Sequence, residues 1–133
     1  MFVGRTALNA LERDPDFFLR HGYTYSGHSA VCAAALKNLE IIERDGLIER
    51  AKHVGKRLSD GLHSLAADGV IDSVRGAGAI WAAGLKPDQN CVTIRDNMIK
   101  RGVIARSINA DTNAFCPPFV ITDQQIDKLL DVF

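Results

Sequence analysis

From His21 to His28 the chain reads His-Gly-Tyr-Thr-Tyr-Ser-Gly-His, which places the hydroxyls of Thr24 and Ser26 between two glycines. Without Cβ atoms at Gly22 and Gly27 the backbone can turn sharply and approach a ligand, and the hydroxyls then offer donors and acceptors beside it. That chemistry suits an anion such as phosphate, although hydroxyl residues ahead of a helix commonly serve as N-caps. A second candidate is Arg106, followed by the polar stretch 107–113. A guanidinium at a strand end can clamp a carboxylate bidentately, or can simply make a surface ion pair. The histidines at 21, 28, 53 and 63 have no carboxylate or serine partner evident from the sequence. His53 and His63 read as solvated residues on a helix, and His28 as a cap. Cys116, next to Pro117, reads as packed and inert, since nothing beside it would lower a thiol pKa.

The chain that must position these groups has 133 residues, a one-domain length with enough apolar content for a single core. Sixteen acidic and sixteen basic residues cancel, so there is no electrostatic case for nucleic acid or an anionic membrane surface as a partner. Arg50, Lys52, Lys56 and Arg57 read as the solvated side of one helix. Three widely spaced cysteines without a CxxC pair argue against a disulfide framework or a zinc site. Charges at Arg5, Glu12, Arg13, Asp14 and Asp16 interrupt any signal-peptide core, and no later run approaches membrane-spanning length, so a cytoplasmic location is expected.

Apolar spacing predicts a helix over 28–44, with Val31, Ala34, Ala35, Leu39 and Ile42 on a broad stripe suited to burial between two partners. Asp45-Gly46 ends it, and a half-exposed helix is expected over 47–67. Residues 70–75 and 79–85 read as an antiparallel strand pair joined at Gly76-Ala77-Gly78, with Trp81 as a packing residue. The glycine pair is no dinucleotide fingerprint, because it joins strands and lacks the third glycine. A helix ending at Arg101, a strand over 103–105 running to Arg106, a loop over 107–113 and a short strand over 114–116 follow. Pro117-Pro118 stops that strand, and Thr122 with Gln125 forms a capping box for a final helix. Ahead of these, 2–4 reads as a strand end, 6–11 as a short helix, 14–16 as a turn and 17–19 as a loop anchor. The expected fold class is α/β (α+β), a three- or four-stranded sheet covered by helices on one face.

The string HGYTYSGH with the alanine-rich run behind it resembles the segment after the catalytic lysine in class III (omega) aminotransferases, pyridoxal-phosphate (PLP) enzymes of fold type I. Further matches come in the family's order: Glu43-Arg44-Asp45-Gly46-Leu47 with Glu49-Arg50-Ala51, Val74-Arg75-Gly76 with Gly78, Arg101-Gly102-Val103-Ile104-Ala105-Arg106, and Phe115-Cys116-Pro117-Pro118-Phe119 with Ile121-Thr122-Asp123. One departure is Ser29, where the family has proline; serine can cap there.

The resemblance implies the small C-terminal domain of a fold type I enzyme over 28–133, cut at its last helix, with 1–27 as the tail of the large cofactor domain and the phosphate-contact loop. Met1 then looks like a late start or truncation. It also implies that Thr24 bonds the pyridoxal 5'-phosphate of the neighbouring subunit in a homodimer, with Tyr23 beside it, and that Arg106 binds a substrate carboxylate. The interval from Arg106 to Pro117 is one residue longer than the family's. None of Lys37, Lys52, Lys56, Lys86, Lys100 and Lys128 matches the family's Schiff-base lysine, which is expected upstream together with the carboxylate that holds the pyridinium nitrogen. No catalytic residue is therefore assigned in the chain. The expected function is that of a C-terminal fragment of an aminotransferase moving an amino group from an amine or omega-amino acid to a keto acid. The alternative is a non-catalytic binding module or decayed remnant that keeps the small-domain fold.

Overall fold

The computed structural model describes residues 4–13, 16 and 22–133, so the expectations at 2–3, 14–15, 17–19 and His21 lie outside the described residues. The chain divides into two compact units, Met1–Lys37 and Asn38–Phe133. In order, the elements are α1 (Arg5–Leu11), α2 (Ser29–Arg44), α3 (Leu47–Ala67), β1 (Ser73–Ala77), β2 (Ile80–Gly84), α4 (Cys91–Lys100), β3 (Arg106–Ile108), β4 (Thr112–Phe115) and α5 (Asp123–Val132). The strands form one antiparallel sheet in the order β1-β2-β4-β3.

Helix α3 supplies the ridge on which the second unit is built. Val54, Leu58 and Leu62, spaced by four, are all fully buried, which is the periodicity of one helical face laid on a sheet. Phe115 and Ala83 meet that ridge from the sheet, with Ile126, Leu129 and Phe133 completing the core from α5. The rings of Phe115 and Phe133 pack edge to face, 5.1 Å apart. Trp81 packs on the same side, its Nε1 donating to the Gly78 carbonyl at 2.8 Å, so the expected packing role holds. Asn113 also points into this layer, fully buried and without a hydrogen-bond partner among the described residues. Such a group costs about 1–3 kcal/mol.

Helix α3 approaches the sheet closely at Gly55. A Cβ built there would lie 1.9 Å from the Gly78 carbonyl oxygen, so α3 rests directly on the backbone of the β1–β2 turn. Gly78 itself has φ +54°, a left-handed turn position.

Two caps define the later helices. Asn90 Oδ1 accepts from the Val92 and Thr93 N–H groups at 3.0 Å each, a cap that sequence reading left as loop. Thr122 and Gln125 form the expected capping box. Each cap is worth about 1 kcal/mol.

The face of α3 read as simply solvated instead holds α5. Arg50 donates to the Ile121 carbonyl and, at 2.9 Å, to Asp123; Arg57 pairs with Asp127; and His53 Nε2 lies 2.9 Å from Asp123 Oδ2. His53 thus has a carboxylate partner seventy residues away in sequence, which no local pattern could reveal. Lys52 and Lys56 pair within their own helix, with Glu49 and Asp60. Three other expectations change. Residues 103–105 belong to no strand, β3 begins only at Arg106, and the expected loop 107–113 is mostly a hairpin. Residues 70–72 precede β1 without joining it. Within this chain no residue of α2 is buried, and Ile41 and Ile42 are half-buried.

Replacing Gly55 by alanine should favour the helix by about 1 kcal/mol but force an overpacked contact costing about 1–3 kcal/mol. Because the opposing atom is backbone, the clash wins, and Gly55→Ala lowers the urea midpoint; an unchanged or raised midpoint would contradict this contact. A second outcome concerns acid. Hydrogen bonds from His53 and then from Arg50 hold the Asp123 carboxyl below the usual carboxylate range. Its folded pKa lies below its unfolded one, so its contribution is complete above about pH 4 and is lost as pH falls through the folded value. Urea midpoints of wild type and Asp123→Asn should therefore converge below about pH 4, and a constant gap from neutral to acid would refute the linkage.

Candidate functional site

In the first unit the loop before α2 closes on itself. The Tyr23 N–H donates to Ser26 Oγ at 2.8 Å, the Ser26 N–H returns to the Tyr23 carbonyl at 2.9 Å, and the His28 N–H reaches the Tyr25 carbonyl at 3.2 Å. Ser26 is thereby spent on shaping the turn, and Gly27, at φ +76°, lets the chain pass into the helix. Helix α2 begins as the Cys32 N–H bonds the His28 carbonyl, which makes Ser29 the first helical residue and not the cap. Thr24 and Tyr25 occupy the exposed apex, and no described residue hydrogen-bonds the Thr24 hydroxyl. This turn fits one side of a phosphate: an outward hydroxyl on a backbone already fixed by its own bonds. Residues 22–28 include no lysine that could carry a covalent cofactor.

In the second unit Arg106 opens β3, paired across the ladder with Ala114 on β4. Its guanidinium makes no ion pair with any described carboxylate. It borders a hollow of about 250 Å³ lined also by Ile104, Ala105, Ala114 and Cys116. Between Arg106 and Pro117 the chain makes the three-residue turn 109–111, where Asn109 adopts φ 53°, a left-handed conformation that asparagine tolerates well. Arg106 stands in register with Ala114 on the far side of that turn. Cys116 is exposed, in contrast to the packed position expected of it. A larger hollow, about 460 Å³, lies between the end of β4 and α5 with Lys128 on its lining.

Sequence reading missed Arg75. Its Nη2 donates to Thr112 Oγ1 at 2.9 Å, and that hydroxyl donates to Asp111 Oδ1 at 2.8 Å. The only signal available was a charge inside a strand otherwise read for its alternation. His63 is not part of a serine dyad. Its Nδ1 lies 2.7 Å from the Ser59 carbonyl and 3.3 Å from Ser59 Oγ, and facing a carbonyl it must carry the hydrogen, leaving no lone pair to take the serine's proton. Among the described residues no group of histidine, cysteine or carboxylate side chains could hold a metal, and no helix is long and apolar enough to cross a membrane.

An antiparallel sheet of four strands with α3, α4 and α5 on one face is the small C-terminal domain of fold type I PLP enzymes. The aminotransferase class-III family matches residues 3–133, and the chain belongs to that family. It is 35% identical over 145 residues to the diaminobutyrate–2-oxoglutarate transaminase of Halomonas elongata, covering 98% of this chain and 31% of that protein. It is 34% identical to the beta-alanine–pyruvate aminotransferase of Pseudomonas aeruginosa, covering 84% and 26%. The crystal structure of an amine transaminase from an uncultivated Pseudomonas species, in its PLP-bound form, superposes with a TM-score of 0.83 at 30% identity, over 96% of this chain and 32% of that one. The chain thus spans about a third or less of the length of these relatives.

Proposed function

We propose that this chain serves as the C-terminal part of a PLP-dependent aminotransferase that moves an amino group from an amine or omega-amino acid to a keto acid. The observation that carries the reading is the family match across 3–133 combined with coverage of only 31% of a full-length relative. In this reading 1–27 belong with the large cofactor domain and 28–133 form the small domain. The cofactor, when bound, supplies the electron sink for amino transfer. The Schiff-base lysine and the carboxylate for the pyridinium nitrogen come from the rest of the assembled enzyme, and the chain by itself is inactive.

The chain's own contributions are two. Thr24 donates its hydroxyl to the cofactor phosphate of a second subunit, with Tyr23 alongside, which makes the working form a homodimer. Arg106 donates to a substrate carboxylate from the start of β3, at a position where no described acid competes for it. The three free thiols suit a reducing cytoplasm.

Two measurements on the assembled enzyme test these roles. Thr24→Ala should weaken PLP retention by about 1.5–3 kcal/mol, the range for a hydrogen bond to a charged group; unchanged retention removes Thr24 from the site. Arg106→Ala should lower kcat/KM for a keto-acid acceptor about ten- to hundredfold while sparing an aldehyde that lacks the carboxylate. Equal losses for the two acceptors would sink the clamp.

A further inference from the structure

On the helix-facing side of the sheet, one cross-strand row runs Val74, Ala83, Asn113, Ser107 through β1, β2, β4 and β3. Its first two members join the apolar core. Asn113 is fully buried, and neither its Oδ1 nor its Nδ2 has a hydrogen-bond partner among the described residues. The Oγ of Ser107, its direct partner across the ladder, is likewise buried and unpaired. Four buried side-chain atoms among the described residues lack a partner, and three of them fall on this one pair. The orphans are therefore a local feature of the β3–β4 ladder and not scattered through the core.

Leaving such groups unbonded costs about 1–3 kcal/mol each. Directly opposed side chains on adjacent strands have Cβ atoms about 4.5–5.5 Å apart, yet the serine and the carboxamide do not bond one another. One water reaches across a gap of that size, since two hydrogen bonds of about 2.8 Å span up to about 5.6 Å. Helix α4 packs against both strands. The side chains it lays on the core are Cys91, Ile94 and Met98, and the thiol among them is turned to the Asn109 carbonyl at 3.6 Å. Space comes from the row itself, because Ala83 and Ser107 set small side chains on either side of Asn113. The exposed tip of the hairpin, two residues from Asn113, gives a way in from solvent.

We propose that Ser107 Oγ and the Asn113 carboxamide form an internal water site, holding at least one water between β3 and β4 beneath α4. Water both donates and accepts, so it can serve the hydroxyl together with either end of the carboxamide. Buried waters have this kind of surrounding, with about three hydrogen bonds to groups that are otherwise unpaired. The bridge ties the edge strand β3, only three residues long, to β4 on the side opposite Arg106. It follows from the fold alone and requires neither cofactor nor substrate.

Two measurements on the 133-residue chain test the site. Oxygen-17 relaxation dispersion registers waters held far longer than those at the surface and is blind to proton exchange. Asn113→Leu, which keeps a branched side chain but offers no hydrogen-bonding atom, should lose at least one long-lived water relative to wild type. Ser107→Val suits a strand and fills the gap from the other side, so it should lose the same water; it carries the test should Asn113→Leu fail to fold. A crystal structure of the wild-type chain should place a water within hydrogen-bond distance of Ser107 Oγ and of Asn113 Oδ1 or Nδ2, and it decides the matter if neither variant folds. An unchanged number of long-lived waters in the variants, or a direct Ser107–Asn113 hydrogen bond with no water between them, overturns the site.

Discussion

The second unit depends on a backbone-to-backbone contact, α3 lying at Gly55 against the Gly78 carbonyl of the β1–β2 turn. With no side chain between them, the helix sits close enough to bury Val54, Leu58 and Leu62 completely against the sheet. The depth of that seating decides what else α3 can reach. Its flank carries Arg50, His53 and Arg57, and from that position they grip the start of α5 through Asp123, Asp127 and the Ile121 carbonyl. One helix therefore supplies both the apolar ridge under the sheet and the polar clasp that brings the C-terminal helix, with Phe133, over Phe115.

Placing all three helices on one side gives the sheet two chemically different faces. Towards the helices lie Val74, Trp81, Ala83, Asn113 and Phe115; towards the other side lie Arg75, Ala82, Thr112, Ala114 and Arg106. The alternation is the ordinary period of two, and the outward set mixes small residues and guanidiniums with the exposed Ile80 and Ile108. Small residues let a long arginine lie flat across a neighbouring strand, which is how Arg75 reaches Thr112.

Elements governed by local chemistry were legible in the sequence. Helix α3 has the bounds its periodicity and Gly46 predict, and the Thr122 capping box stands as read. Errors arose where partners distant in sequence decide. The apolar triplet 103–105 looks like a strand, but the ladder with β4 starts at Arg106 because register is set by the hairpin turn and not by hydrophobicity. His53 and Arg75 were passed over for the same reason: their partners lie 70 and 37 residues away. Of the site, Thr24 and Arg106 could be singled out by residue type and resemblance, whereas a row across four strands becomes visible only when the register is known.

The turn at Asn109 has a consequence for how this part of the molecule tolerates change in length. Both ends of the hairpin are pinned by ladder pairs, Ile108 with Thr112 and Arg106 with Ala114, while the three residues between project beyond the sheet. Lengthening such a turn costs little chain entropy, since closure grows only with the logarithm of loop size. Insertions can therefore accumulate at the tip, where asparagine's ease in the left-handed region absorbs the altered path, and the guanidinium at the strand's beginning does not shift. Spacing in sequence and position in space are decoupled at this one point, so the distance from the arginine to the double proline is a poor ruler for the geometry of the site.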